Sequence, residues 1–371
     1  MKQNKSIKIL VIILVLLIVV AGVLLAIKII GDNNKQEVNN NVASQNSEQT
    51  NTATVVEVKE PQIFQGTDRP IAVMIDNHKG ALPQAGLNDA YLVYEMIVEG
   101  GESRLMALFK GVNLEQIGPV RSARHYFLDY ALENDAIYVH FGWSPQAQSD
   151  ITRLSVDNIN GIYESSTSFW RTKDKKAPHN VATSTEKILE IANRKGYSTQ
   201  SNRESVLNYV ADPVHLDSEM IATTVTIPYS TSNVVTYEYD EATGRYIRYD
   251  RGEKQVDWVT GETVTTKNII IVKVKNTTLN DGENKGRQTL DNIKTLDGYY
   301  ITNGKAIAIT CEKTDRAEQT VYKDLEGNEI EVNDGNTFIQ MCPIDSKIEI
   351  EPGEETEAEV QTNTIQTNTQ E

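Results

Sequence analysis

The sequence predicts an α/β domain followed by a mostly antiparallel β domain, with a transmembrane helix ahead of both. Three observations carry this. Residues 9–26 form an uninterrupted apolar run, short apolar runs alternate with helical patterns over residues 61–210, and β-rich segments separated by turn dipeptides fill residues 221–346.

The run at residues 9–26 contains no charge; Lys2, Lys5 and Lys8 precede it and Lys28 follows. As a helix it is roughly 27 Å long at about 1.5 Å per residue, close to the hydrocarbon thickness of a bilayer. The lysines ahead of it outweigh Lys28 and Lys35, which Asp32 and Glu37 dilute, so the amino terminus is expected in the cytoplasm and the body outside. Residues 1–30 are therefore read as a short cytoplasmic terminus and single-pass cell-membrane anchor. A signal peptide cleaved near Val20-Ala21-Gly22 is the competing reading, disfavoured because such cores usually run to about 7–15 residues. Residues 31–60 are rich in Asn, Gln, Ser and Thr, and residues 350–371 in acidic and Thr/Gln/Asn residues. Neither can bury enough apolar surface to offset ordering entropy, so a flexible stalk and a disordered tail are expected.

The chain has 371 residues, 52 acidic against 36 basic, for a formal net charge of −16. Such a surface repels nucleic acid and anionic headgroups, which excludes nucleic acid as a partner and requires any anion site to be a local basic pocket.

Within residues 61–210, the continuous apolar run at 71–75 reads as a strand covered on both faces, and 91–94, 104–109 and 136–140 read as further strands. Residues 122–133 carry a helical pattern with Ala123, Phe127, Tyr130 and Ala131 on one face, and 145–154 form a second helix. Thr183-Ser-Thr-Glu186 has the form of a capping box for a third helix, which stops at Gly196. In residues 221–346, the segments 223–227, 234–239, 245–251, 269–274, 306–310 and 337–341 read as strands, punctuated by Asp-Gly and Asn-Gly turns. Cys311 and Cys342 follow two of these strands; the pair is either a disulfide between neighbouring strands or two small buried residues.

The most pointed local feature is Ile117-Gly-Pro-Val-Arg121-Ser122-Ala-Arg124. Read as a turn entering a helix, it offers free amides at a positive helix end, with Arg121 and Arg124 converging on one side and Ser122 adding a hydroxyl. Asp76, Asn77 and His78 follow the first strand, His140 closes the strand after the arginines, and Glu95, Glu99, Glu102 and Arg104 flank the Gly100-Gly101 turn. Ligands in open α/β sheets bind beyond the carboxyl ends of the strands, which gathers these groups at one edge. The ligand-binding candidates are Arg104, Arg121, Ser122, Arg124, Asn77 and His78. The catalytic candidates are Asp76, Glu95 and His140, and Asp76 is also the candidate ligand for a divalent cation, the one cofactor considered. The competing reading makes the arginines structural, paired with Asp76, Glu95, Glu99 or Glu102. Residues 173–180 form a basic loop, read as surface or as a cover over an anionic ligand. No phosphate-binding Gly-x-x-x-x-Gly-Lys-Ser/Thr, His-Glu-x-x-His or Gly-x-Ser-x-Gly motif occurs.

The succession Arg69-Pro-Ile-Ala-Val-Met-Ile-Asp-Asn77, Val98-Glu-Gly-Gly101, Ile117 to Arg124, Tyr138-Val-His140 and Ala177-Pro-His-Asn180 resembles the YerB family of bacterial envelope proteins. Tyr239-Asp240, Gly244-x-Tyr246-x-Arg248 and Asp257-x-x-Thr-Gly-Glu262 resemble its second domain. The resemblance implies a Gram-positive-type cell surface and two domains of unknown function, and brings no established activity. Many members resemble lipoproteins; this chain has no cysteine before Cys311, so the apolar helix is expected to anchor it.

These readings lead to an extracytoplasmic envelope protein binding an anionic ligand or partner beside Arg121 and Arg124. A cell-wall glycan, a lipid-linked precursor and an envelope protein are the partners considered. The alternative is a phosphotransferase or hydrolase acting on pyrophosphate-linked cell-wall precursors, by analogy with single-span LytR-CpsA-Psr enzymes.

Overall fold

The computed structural model describes residues 59–353. The expected membrane anchor and nearly all of the stalk lie outside these residues, as does the tail beyond residue 353. Among the described residues no helix is long and apolar enough to cross a membrane.

Ten strands form one mixed sheet, and both halves of the chain supply them. In chain order they are β1 (Ile71–Asp76), β2 (Leu92–Ile97), β3 (Ser103–Phe109), β4 (Ile137–His140) and β5 (Asn158–Asn160) from the first half. The second half supplies β9 (Asn268–Val274), β10 (Thr295–Thr302), β11 (Lys305–Glu312), β12 (Val321–Lys323) and β13 (Thr337–Pro343). The spatial order is β12-β11-β10-β9-β13-β2-β3-β1-β4-β5. The seam is β13, which runs parallel to β9 on one side and to β2 on the other. The two halves thus share a sheet. β6 (Thr224–Ser230), β7 (Asn233–Asp240) and β8 (Arg245–Asp250) belong to a second sheet, closed on its other edge by β14 (Glu349–Glu351) against β6. Residues 350 and 351, expected in the disordered tail, are therefore strand; pairing with β6 supplies the backbone partners that their composition does not suggest.

Burial explains both patterns. β1, β2 and β3 are buried at every residue, as a sheet covered on both faces requires. β6 and β8 alternate half-buried and buried residues, so only one of their faces packs. The first half is accordingly mixed α/β and the second mostly antiparallel, as the sequence predicted. The Asp297-Gly298 dipeptide, which reads as a turn, lies inside β10. A Cβ on Gly298 would collide with the Ile271 carbonyl of β9, so this glycine serves close strand approach instead.

Among the described residues of the first half, three α-helices pack: α1 (Phe127–Glu133), α2 (Pro145–Arg153) and α3 (Thr185–Lys195). Ser144 caps α2 through the Ala147 N–H at 3.2 Å, with Pro145 in the first turn. In α3 the cap is Ser184, one residue later than the capping-box reading placed it; its hydroxyl accepts the Lys187 N–H at 3.2 Å. Gly196 ends the helix at φ 75°.

Alternation along β2 sets the two faces of the main sheet. Tyr94 points to α1, where its hydroxyl donates to Glu133 at 2.6 Å. Its neighbour Glu95 points the other way, to the second sheet, and meets Arg248 at 2.8 Å with both side chains wholly buried. Glu95 also accepts from Ser103 at 2.6 Å and Asn77 at 3.2 Å. On the α1 side Glu133 receives Lys313 at 2.7 Å and the Thr320 backbone and hydroxyl at 3.0 and 2.7 Å.

Cys311 in β11 and Cys342 in β13 are free and buried. Two strands separate them, roughly 14 Å at about 4.8 Å per strand, beyond disulfide reach. They are the small buried residues of the second sequence reading.

Candidate functional site

The Ile117–Arg124 segment is extended, and α1 begins only at Phe127. Ile117 exchanges backbone hydrogen bonds with Thr183 at 2.7 and 3.1 Å. The Val120 N–H donates to Val181 at 2.6 Å and the Arg121 N–H to Met74 at 2.9 Å. Gly118 has φ 147°, and a Cβ there would stand 2.8 Å from the Val181 carbonyl, so no larger residue fits between these partners. The amides expected to cradle an anion are spent on neighbouring chain. The helix-end site is thereby corrected: the segment is threaded against the end of β1, and tertiary pairing overrides its helical pattern.

Extended backbone also separates the arginines, because residues three apart point to opposite sides of such a chain. Arg124 turns to Glu99 and forms a bidentate pair, Nε at 2.6 Å and Nη2 at 2.8 Å. Arg104 is buried and donates to the Ser122 carbonyl at 2.7 Å. Both are structural, so the expected convergence of Arg121 with Arg124 and Arg104 on a ligand is corrected. Arg121 alone of the three reaches an open groove. Its Nε faces Asp76 Oδ2 at 3.1 Å, off the line of a hydrogen bond, and its terminal nitrogens make no hydrogen bond among the described residues.

Asp76 ends β1 and carries a second partner. His179, from the 173–180 loop, places Nδ1 2.7 Å from Asp76 Oδ2. The His78 ring stacks on His179 with centroids 4.3 Å apart and planes 11° from parallel. The loop is pinned by the second half of the chain. The Trp258 indole N–H donates to Asp174 at 2.7 Å, the Lys175 ammonium lies 4.2 Å above the Trp258 ring, and Lys175 donates to the Leu82 carbonyl at 2.8 Å. Sequence reasoning named the basic loop that contains His179 but did not connect that histidine with Asp76. The two lie 103 residues apart, and no local pattern connects them.

The groove has a volume of about 440 Å³, within the roughly 300–1,000 Å³ of small-molecule sites. Arg121 and Arg171 bring charge to it, Phe141, Trp143 and Tyr163 bring aromatic surface, and Asn160 lies among them. Arg171 has no carboxylate partner among the described residues. It lies 5.6 Å from the Phe141 ring centroid and donates to Asn180 at 2.7 Å. Ser122 lines the groove too, but its hydroxyl donates to the Phe141 carbonyl at 3.1 Å. Burial, followed by the nearby Arg124 charge, brings the Arg104 pKa down to about 10, with Asp76 and Glu99 opposing the drop and Arg121 adding to it.

Three further candidates are corrected. Glu95 is sealed against Arg248 and cannot meet a ligand. His140 is fully buried; its Nδ1 lies 2.8 Å from the Gly142 carbonyl, and burial lowers its pKa to about 4, so it is a neutral structural imidazole. Asn77 is buried between Glu95, Ser103 and Gln84. The phosphotransferase reading thereby loses two of its three proposed catalytic groups. For a divalent cation at Asp76, no group of three His, Cys, Asp or Glu side chains assembles among the described residues. The guanidinium already facing that carboxylate would repel a metal.

Residues 54–198 match the N-terminal domain and residues 225–339 the C-terminal domain of the family described as "Protein of unknown function (DUF3048)", and the chain belongs to this family. Among its relatives is "Putative lipoprotein YerB" of Bacillus subtilis (strain 168), 32% identical over 287 residues that cover 76% of this chain and 81% of the relative. The crystal structure of the Bacillus subtilis YerB protein superposes with a TM-score of 0.68 at 31% identity, covering 76% of this chain and 94% of that one.

Proposed function

We propose that the protein is a membrane-anchored envelope protein whose body lies outside the cytoplasm and binds an anionic envelope ligand in the Arg121–Arg171 groove. The observation that carries this is one groove flanked by Arg171, which has no carboxylate partner among the described residues, and by Arg121, which shares the Asp76 carboxylate with His179, on a chain of net charge −16. Elsewhere on this body arginines are commonly neutralised, as Arg69 is by Asp135 and Asp157 and Arg316 by Asp129 and Asp150. The relative named as a lipoprotein and the apolar run at residues 9–26 support the location.

The test is retention of the purified full-length protein on Gram-positive cell wall, compared with wall stripped of its phosphate-bearing polymers. Retention should fall on stripped wall, and the Arg121→Ala/Arg171→Ala double variant should be lost from both. Equal retention by that variant, with folding intact, would remove the groove from ligand binding.

A further inference from the structure

We propose that the groove takes a sugar ring carrying a phosphate or carboxylate group, with the anion between Arg121 and Arg171 and an apolar face of the ring against Trp143 and Tyr163. This rests on the anion-binding reading above and adds the chemistry of the rest of the ligand. Three observations separate a sugar anion from a bare one.

The first is the aromatic surface. Tyr163 is 71% exposed and its neighbour Ile162 53% exposed, both on the short turn Gly161–Tyr163 at the groove rim. Large apolar groups left in water beside a charged groove mark a binding surface. Trp143 lies 5.8 Å from Tyr163 by ring centroids, with the planes 54° apart, so the two rings make an angled wall and not a closed stack. His140 backs Trp143 from inside at 5.6 Å and holds the indole in place. A pyranose ring has an apolar face of C–H groups and a polar rim, and an exposed aromatic ring buries that face.

The second observation is Asn160, only 4% exposed and lining the same groove. Its Oδ1 accepts the Gly142 N–H at 2.9 Å and the Ile162 N–H at 3.2 Å, which fixes the orientation of the amide. The side-chain NH2 is left with no hydrogen bond among the described residues. It is a preset donor, suited to a ring hydroxyl. Third, Arg171 is held against Phe141 and Asn180, so its planar fork is organised before a ligand arrives. A bare anion needs the arginines alone; the aromatic wall and the amide donor suit a ring with hydroxyls.

Calorimetric titration of the full-length protein tests this with N-acetylglucosamine 1-phosphate and glucuronate, each beside its plain anion, inorganic phosphate or acetate. At least one sugar anion should bind about fivefold more tightly than its plain counterpart, the gain expected from burying one sugar face on an aromatic ring. Tyr163→Ala, at a position too exposed to affect folding, should erase that gain, and Trp143→Ala should do the same. The phosphate and glucuronate arms distinguish the two sources of charge. Equal affinity for sugar and plain anions, or a sugar preference that survives Tyr163→Ala, would overturn the proposal and leave the anion reading standing. Absence of any binding by the wild type, or unchanged binding by Arg121→Ala/Arg171→Ala, would overturn both.

Discussion

Asp76 Oδ2 lies 2.7 Å from His179 Nδ1 and 3.1 Å from Arg121 Nε, so one carboxylate ties a loop histidine and a groove arginine to the end of the first strand. The loop that brings His179 there is held from the other side by Trp258, which belongs to the second half of the chain. The second half thus builds the groove wall without lining it.

Trp258→Ala should free this loop. It removes the indole hydrogen bond to Asp174 and the ring under Lys175 in a half-exposed turn, so the global fold should persist. Limited trypsin digestion should cut faster after Lys173, Lys175 and Lys176, by about an order of magnitude, and Asp76→Asn should add to the effect. Unchanged cleavage in Trp258→Ala would mean that the loop is held by its own contacts.

The buried pair of Glu95 and Arg248 should behave as a unit. Arg248→Met strands a buried carboxylate beside Asp250, at a cost of about 3–5 kcal/mol in denaturant unfolding. The double variant Glu95→Gln/Arg248→Met should recover much of that loss. A single variant costing under about 1 kcal/mol would contradict the sealed pair.

His140 should make stability depend on pH. Its folded pKa, lowered to about 4 by burial, lies below the 6.5 of a free imidazole. Between these values the unfolded chain binds the extra proton, so stability falls as pH drops from about 6.5 toward 4, at up to about 1.4 kcal/mol per unit. His140→Gln removes this contribution. The stability difference between wild type and variant should therefore shrink with acidification from pH 7 to pH 4.5, read from urea midpoints. A difference independent of pH would show the imidazole titrating alike in both states.

The two thiols should be silent in the folded protein. Burial raises both pKa values, that of Cys342 to about 12, so neither supplies thiolate at neutral pH. A thiol reagent should label Cys311 and Cys342 only on unfolding, and a reductant should leave the melting temperature unchanged. Rapid labelling of the native protein would refute this placement.

Local pattern was enough for β1, whose continuous apolar run needs two covered faces, and for α2, whose Ser144-Pro145 start satisfies amides within one turn. It was enough as well for β6, β7 and β8, where period-two alternation records a single packed face, and for the excess of acid over base that confines any anion site to a pocket. It did not extend to β10, because a glycine chosen for strand contact looks the same as one chosen for a turn. Nor did it reach Arg121 and Arg124, because whether they converge depends on a backbone whose hydrogen-bond partners, Met74, Val181 and Thr183, lie far along the chain. Which arginine faces solvent, which carboxylate is sealed and which loop supplies a histidine are set by packing between distant segments. Those contacts form only when the chain has closed on itself, and composition and periodicity report only what each segment needs from its surroundings.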